Sequence, residues 1–193
     1  MKDELYTGNH INGEIEIISS EVLLKNEFIT VSNDNVVFPG GNKGTYLRVG
    51  TESNKSVAVL PVTESGKIVF IKSFRHGARG WGIEIPKGAV EPDEDEISAV
   101  RRELLEETGY SFETAELIGE FNCSPDISQG AIKCYIAKNC KKTNEPKPEK
   151  TEAIGEISEY SREEYHKAVK EMDFADALTE LMLFKADEEN RNG

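Results

Sequence analysis

Gly88–Tyr110, GAVEPDEDEISAVRRELLEETGY, is the stretch whose reading decides the fold. Ile97, Val100 and Leu104 recur at helical spacing and Gly109 supplies a stop, so the pattern predicts a helix over residues 94–108. Glu103, Glu106 and Glu107 then stand at i, i+3 and i+4. At roughly 100° per residue, the three carboxylates fan over a narrow sector beside the apolar stripe and are expected to share one pocket at the core's edge. Like charges at i,i+4 cost a helix about 0.2–0.5 kcal/mol each. A divalent cation removes the conflict, and oxygen ligands without nearby histidine or cysteine suit Mg²⁺ or Mn²⁺ rather than zinc. Arg102, one turn before Glu106, is placed to hold a carboxylate in its rotamer. For three glutamates alone, a solvated acidic helix face is the better explanation.

The neighbouring residues reverse that preference. The string fits G-x5-E-x7-R-E-U-x-E-E-x-G-U, with U apolar or aromatic, at Gly88, Glu94, Arg102, Glu103, Leu104, Glu106, Glu107, Gly109 and Tyr110. Nine constrained positions make this far more specific than a lone glycine pattern. The string resembles the Nudix box, the signature of hydrolases that cleave a nucleoside diphosphate linked to another moiety. The resemblance implies that Glu103 and Glu107 are the firmest metal ligands, that Glu106 stands close behind, and that Glu94 is a weaker ligand or a structural residue. It also implies Mg²⁺, with Mn²⁺ as the alternative.

Composition is compatible with such an enzyme. The 193 residues carry 23 Lys plus Arg against 36 Asp plus Glu, a net charge of −13. That excess disfavours nonspecific contact with nucleic acid or an anionic membrane. An anionic substrate must then be met by a metal and a few local arginines. Cys123, Cys134 and Cys140 are odd in number and lack CxxC spacing, which indicates neither a disulfide framework nor a zinc site. No stretch has the apolar length of a signal peptide or a membrane span. A cytoplasmic protein is expected.

Working outward, residues 14–49 read as five short strand-like runs with turns between them, a small antiparallel meander. Ser53-Asn54-Lys55 is the expected junction, giving an N-terminal β-rich dimerisation subdomain over 1–53 and a Nudix hydrolase domain over 54–193. SVAVLPVT, a Glu64–Lys67 turn and KIVFIKSFR predict a hairpin in a buried sheet. AELIGEFN, AIKCYIAK and EAIGEISEY are further strands. Ser161-Arg162-Glu163-Glu164 is a capping box opening a helix through Met172, and Asp173 is expected to cap a last helix bearing Ala177, Leu178, Leu181 and Met182. Strands flanked by helices indicate an α/β or α+β sandwich. The resemblance narrows this to the Nudix α/β/α sandwich with a mixed sheet.

Phe74-Arg75, then Trp81, Glu84, Ile85, Pro86 and Gly88, look like the approach to the box in ADP-ribose pyrophosphatases, and Pro125 matches a proline about fifteen residues past the box that marks that subfamily. The likeness implies hydrolysis of ADP-ribose or a related ADP-sugar to AMP and a sugar phosphate, in a homodimer built through the N-terminal sheet. Another nucleoside diphosphate sugar such as GDP-mannose, or a non-catalytic nucleotide-sensing domain, remains an alternative. A backbone carbonyl at Lys87, where the family usually has alanine, is expected to complete a metal site. The general base is expected on the loop 141–153, with Glu152 and Glu149 as candidates. Arg75 and Arg79 suit phosphate oxygens, and Glu84 belongs to the same substrate-binding approach. Trp81 either stacks on adenine or lies in the core or an interface. His76 reads as a surface or pocket residue, His10 and His166 as surface residues. Asp126–Gln129 departs from the subfamily pattern in a loop expected to shape the terminal-sugar side.

Overall fold

A computed structural model describes residues 5–51 and 55–192. Ser53 and Asn54 of the expected junction lie outside the described residues. The strands are β1 (Glu16–Lys25), β2 (Thr30–Val37), β3 (Lys43–Gly50), β4 (Lys55–Thr63), β5 (Ile68–Arg75), β6 (Gly80–Glu84), β7 (Lys87–Ala89), β8 (Tyr110–Ser111), β9 (Thr114–Phe121), β10 (Ala131–Lys142) and β11 (Ile154–Tyr160). The helices are α1 (Glu96–Thr108), α2 (Arg162–Ala168) and α3 (Ala177–Asn192), with 3-10 turns at His10–Asn12 and Val169–Glu171. Two compact units form: Met1–Asn54 with Asn122–Gly130, and Lys55–Phe121 with Ala131–Gly193.

In the first unit β1, β2 and β3 make an antiparallel sheet in that order. The five expected runs are three strands, because polar residues that resemble turn formers are satisfied across the sheet. Asp34, in the middle of β2, is buried and accepts from Arg48 Nε at 2.7 Å and from Ser20 Oγ at 2.5 Å. Strand β1 absorbs its irregularity as register shifts between Ile17 and Ser19 and between Val22 and Leu24. The segment 122–130 joins the same unit, with Val49 N donating to Ile127 O at 2.8 Å and Arg48 Nη1 to Gln129 Oε1 at 2.7 Å. His10 is not a bare surface residue: its Nδ1 lies 2.5 Å from Glu16 Oε2.

The second unit is an eight-stranded mixed sheet with the central order β11-β5-β4-β10-β8. The expected hairpin of β4 and β5 closes at Val62–Ile68 and then splays. Both strands are apolar on both faces, so each takes neighbours on two sides: β4 runs parallel to β10 and antiparallel to β7, while β5 lies between β6 and β11. Alternate side chains enter two cores. Ala58, Leu60, Cys134 and Ile136 pack with Tyr165, Leu178, Met182 and Leu183 of α2 and α3. Val57, Val59, Tyr135 and Ala137 pack with Ala99, Val100 and Leu104 of α1. That is the expected sandwich, sheet between helical layers.

The capping box at Ser161 forms, with Glu164 N donating to Ser161 Oγ and Ser161 N to Glu164 Oε2. The helix it opens ends at Ala168 rather than Met172 and passes into the 3-10 turn. The cap of the last helix is Asp176, not Asp173: Thr179 N donates to Asp176 Oδ2 at 3.0 Å and Glu180 N to its carbonyl. Asp173 instead accepts from Trp81 N at 2.7 Å. Among the described residues, no helix is long and apolar enough to cross a membrane.

Candidate active site

Helix α1 begins two residues later than expected, at Glu96, with Asp95 as its N-cap accepting from Ser98 N at 3.1 Å. Glu94 stays outside and folds back to accept from Glu91 N. At the other end Gly109 takes φ 77° and donates its N–H to Leu105 O, a left-handed cap that suits glycine. Between these ends α1 buries Ala99, Val100 and Leu104, and with them two carboxylates: Glu103 is 7 % exposed and Glu107 2 %.

Of the three box glutamates, Glu103 and Glu107 enter one three-acid cluster and Glu106 stands at its edge. Successive residues diverge by roughly 100° around a helix, so Glu103 and Glu107 nearly eclipse one another while Glu106 turns away from Glu107. Glu106 lies half-exposed against Arg102, 3.2 Å from Nη1. The third carboxylate beside Glu103 and Glu107 is Glu152, delivered by the loop before β11; one ligand atom from each of the three lies within 4.8 Å of the others. Of the two loop candidates, Glu152 is half-buried at the cluster and Glu149 is exposed. Glu149 serves its neighbour through the backbone, its N–H donating to Glu152 Oε2 at 2.8 Å.

Burial without full compensation raises both helix acids. Desolvation is the main cause for Glu107, reinforced by Glu152 and Glu103, and pushes its carboxyl up to about 9. Desolvation likewise lifts Glu103 to about 7, opposed by Arg102. Arg102 organises the outer side of the cluster. Its Nε and Nη2 hold Glu94 at 3.0 Å each, Nη1 reaches Glu103 Oε1 at 2.8 Å, and Nη2 donates to Ala89 O at 2.9 Å. Glu94 is thereby a support for Arg102 and is absent from the three-acid cluster.

Strand β7 closes the cluster from the sheet side. Lys87 N donates to Glu107 Oε2 at 3.1 Å. A Cβ built at Gly88 would lie 2.0 Å from Glu103 Oε1, so only glycine lets that carboxylate rest on the backbone. The side chain of Lys87 turns the other way, 2.8 Å from Glu84 Oε2 and 3.1 Å from Asp176 Oδ2. Glu84, 1 % exposed, also accepts from Arg75, whose Nε lies 3.0 Å from both carboxylate oxygens.

Beside these groups opens a cavity of about 380 Å³, lined in part by Arg75, His76, Glu107, Thr151 and Glu152. Arg75 and Glu152 thus line one cavity. Arg79 is exposed beside it, donating to His76 Nδ1 at 2.9 Å and lying over the Phe74 ring at 5.3 Å. Trp81 is set edge-on to Phe74 with centroids 5.5 Å apart and packs near Gly155, apart from the cavity lining. Asp176 was not foreseen: it stands 89 residues from Lys87 and reads as an ordinary helix cap.

A NUDIX domain model matches residues 52–182. The chain belongs to the Nudix family. A Bacillus methanolicus methanol dehydrogenase activator is 29 % identical over 88 % of this chain and 91 % of its own length. The ADP-ribose pyrophosphatase of Bacillus subtilis strain 168 is 29 % identical over 86 % of this chain and 89 % of its own. A crystal structure of an ADP compounds hydrolase superposes with a TM-score of 0.77, covering 92 % of this chain and 95 % of that one at 18 % identity. The likeness to that structure is one of fold, and it agrees with the Nudix sandwich described above.

In Nudix terms, the close approach at Gly88 yields a specific expectation. Gly88→Ala is expected to displace Glu103 and lower turnover at least about 100-fold, because a misplacement near 1 Å costs that much in a positioned site. Melting temperature should fall by only a few degrees, since the added methyl contacts a carboxylate rather than the apolar core. Kinetics and thermal melts on the same preparation check both halves.

Proposed function

We propose that this Nudix protein is a divalent-metal-dependent pyrophosphohydrolase of ADP-ribose or a related ADP-sugar, giving AMP and ribose 5-phosphate from ADP-ribose. The carrying observation is the convergence of Glu103, Glu107 and Glu152 at the cavity that Arg75 lines. Glu103 and Glu107 with the carbonyl of Lys87 form an all-oxygen donor set, which fits Mg²⁺ or Mn²⁺, and leave Glu152 beside it as a base. Bound there, such ions neutralise phosphoryl oxygens and lower the pKa of a bound water.

The chain's own groups divide the remaining work. Glu103 and Glu107 hold the cation from α1, with the carbonyl of Lys87 as a further oxygen and Glu106 contributing through Arg102. Glu152 accepts the proton from the attacking water, its carboxylate held by the Glu149 N–H. Arg75 faces the diphosphate, and Arg79 and His76 extend the cationic rim beside it. The ADP-sugar class is supported by the name of the Bacillus subtilis relative, which aligns over most of both chains. A homodimer is supported by the exposed apolar side chains Ile18, Val22, Leu23, Leu24 and Phe28 of the first unit. A cytoplasmic setting is supported by an odd number of cysteines without CxxC spacing.

Turnover of ADP-ribose, GDP-mannose and a dinucleotide polyphosphate, each with and without Mg²⁺, tests the reading. AMP release from ADP-ribose should exceed turnover of the other two by at least about tenfold in kcat/KM, a difference of about 1.4 kcal/mol in transition-state binding. Preference for GDP-mannose, or no Mg²⁺ dependence, would overturn it.

A further inference from the structure

The side chain of Lys87 has no place in the reaction just described, yet it is held between two carboxylates. Its ammonium lies 2.8 Å from Glu84 Oε2 and 3.1 Å from Asp176 Oδ2, and its side chain is 19 % exposed. Glu84 is also bound by Arg75, with Nη2 2.5 Å from Oε2. Asp176 in turn accepts from Thr179 Oγ1 at 2.7 Å, and the same hydroxyl accepts from Ile85 N at 3.0 Å. Two acids and two bases therefore form a linear quartet, Arg75–Glu84–Lys87–Asp176, formally neutral, reaching from the start of α3 to the cavity. Only one of its members, Arg75, lines that cavity.

This arrangement bears on how much positive charge Arg75 presents. Glu84 is buried and must be matched by cations. With Lys87 sharing the carboxylate, the three other members leave one net negative charge beside Arg75, where two would stand without the lysine. Burial of Asp176 disfavours its charge, but Lys87 and Thr179 outweigh that and hold its carboxyl below the usual range. Glu107 and Asp176 both act electrostatically on Arg75. An anion entering the cavity meets the sum of these charges.

We propose that Lys87 and Asp176 are positioning residues that set the affinity of Arg75 for the diphosphate by fixing the charge balance of the buried quartet. The proposal rests on the substrate-binding role given to Arg75 above. Removing the lysine charge adds one net negative charge beside Arg75; removing the aspartate charge adds one net positive. The two changes act in opposite directions, and together they cancel.

The test uses Lys87→Met, which keeps an apolar stem, Asp176→Asn, which keeps a helix-capping side chain, and the double variant. Binding of ADP-ribose is measured by calorimetry with Ca²⁺ present, and KM and kcat separately with Mg²⁺. One charge near a partly buried ion is worth roughly tenfold in affinity. Lys87→Met should weaken binding about tenfold and Asp176→Asn should tighten it about threefold, with the kcat of Asp176→Asn within about threefold of the parent. The double variant should return to within about threefold of the parent. If Lys87→Met fails to fold, Asp176→Asn and the double variant decide alone. Weaker binding in Asp176→Asn, or a double variant worse than either single, overturns the proposal. A parent that binds ADP-ribose but does not hydrolyse it overturns the functional reading and leaves this order of affinities to stand or fall by itself.

Discussion

Replacing Glu107 by glutamine is expected to cut kcat by at least about 10³-fold and to abolish tight Mn²⁺ binding, while making the metal-free protein more stable. The loss of turnover follows from removing the most deeply buried oxygen donor of the cluster. The gain in stability follows from its titration. Burial raises Glu107 to about 9 and Glu103 to about 7 in the folded chain, whereas an unfolded glutamate titrates near ~4.3. A raised folded pKa gives stability that is complete below the unfolded value and is lost as pH rises through the folded one. The metal-free protein should therefore weaken progressively from about pH 5 to about pH 9.

Glutamine has no proton to lose, so the variant escapes the part of that loss due to Glu107. At pH 8.5 without metal it should melt about 3–6 °C above the parent, corresponding to about 1–2 kcal/mol in a chain of this size. Near pH 5 the two should coincide. Adding Mg²⁺ at pH 8.5 should raise the parent's melting temperature and leave the variant's unchanged. Calorimetric scans at the two pH values, with EDTA or Mg²⁺, read all of these. A parent whose stability rises with pH under EDTA would contradict the burial argument, and a variant with near-parental turnover would remove Glu107 from the metal site.

The second large effect separates two glutamates three residues apart. Glu152→Gln is expected to lower kcat by about 10²–10⁴, the range that general base catalysis contributes, with KM changed little. Glu149→Gln should stay within about threefold of the parent. Geometry sets the contrast: Glu152 lies with Glu103 and Glu107, and Glu149 reaches the site only through its backbone N–H, which glutamine retains. Equal losses from the two substitutions would mean that the loop as a whole, rather than one carboxylate, carries the effect.

Much of the architecture was legible in the chain because local patterns agree with tertiary demands. The continuous apolar runs of β4 and β5 announce strands buried on both faces, and both faces are indeed covered. The capping box at Ser161 and the stop at Gly109 are complete within a few residues, so nothing distant could alter them. The misreadings have one common cause. Ser20 and Asp34 resemble turn residues until Arg48, on another strand, satisfies them. Asp173 resembles a cap until the Trp81 backbone claims it, leaving the role to Asp176.

The same division holds at the site. Spacing along one helix was enough to identify the Nudix box, because carboxylates at i and i+4, an arginine immediately before them and a glycine stop are local properties of about twenty residues. Local spacing did not determine which acids share a cavity. Helical rotation sends Glu106 toward Arg102, and its place beside Glu103 and Glu107 goes to Glu152, more than forty residues downstream. The partnership of Lys87 with Glu84 and Asp176 likewise exists only after β7 and the start of α3 are brought together. Sequence by itself determined the family, the sheet's buried strands and the helix that carries the box acids. Tertiary structure alone decided which charges face one another, since electrostatic interaction depends on distance through space and on burial, and neither is written in the order of residues.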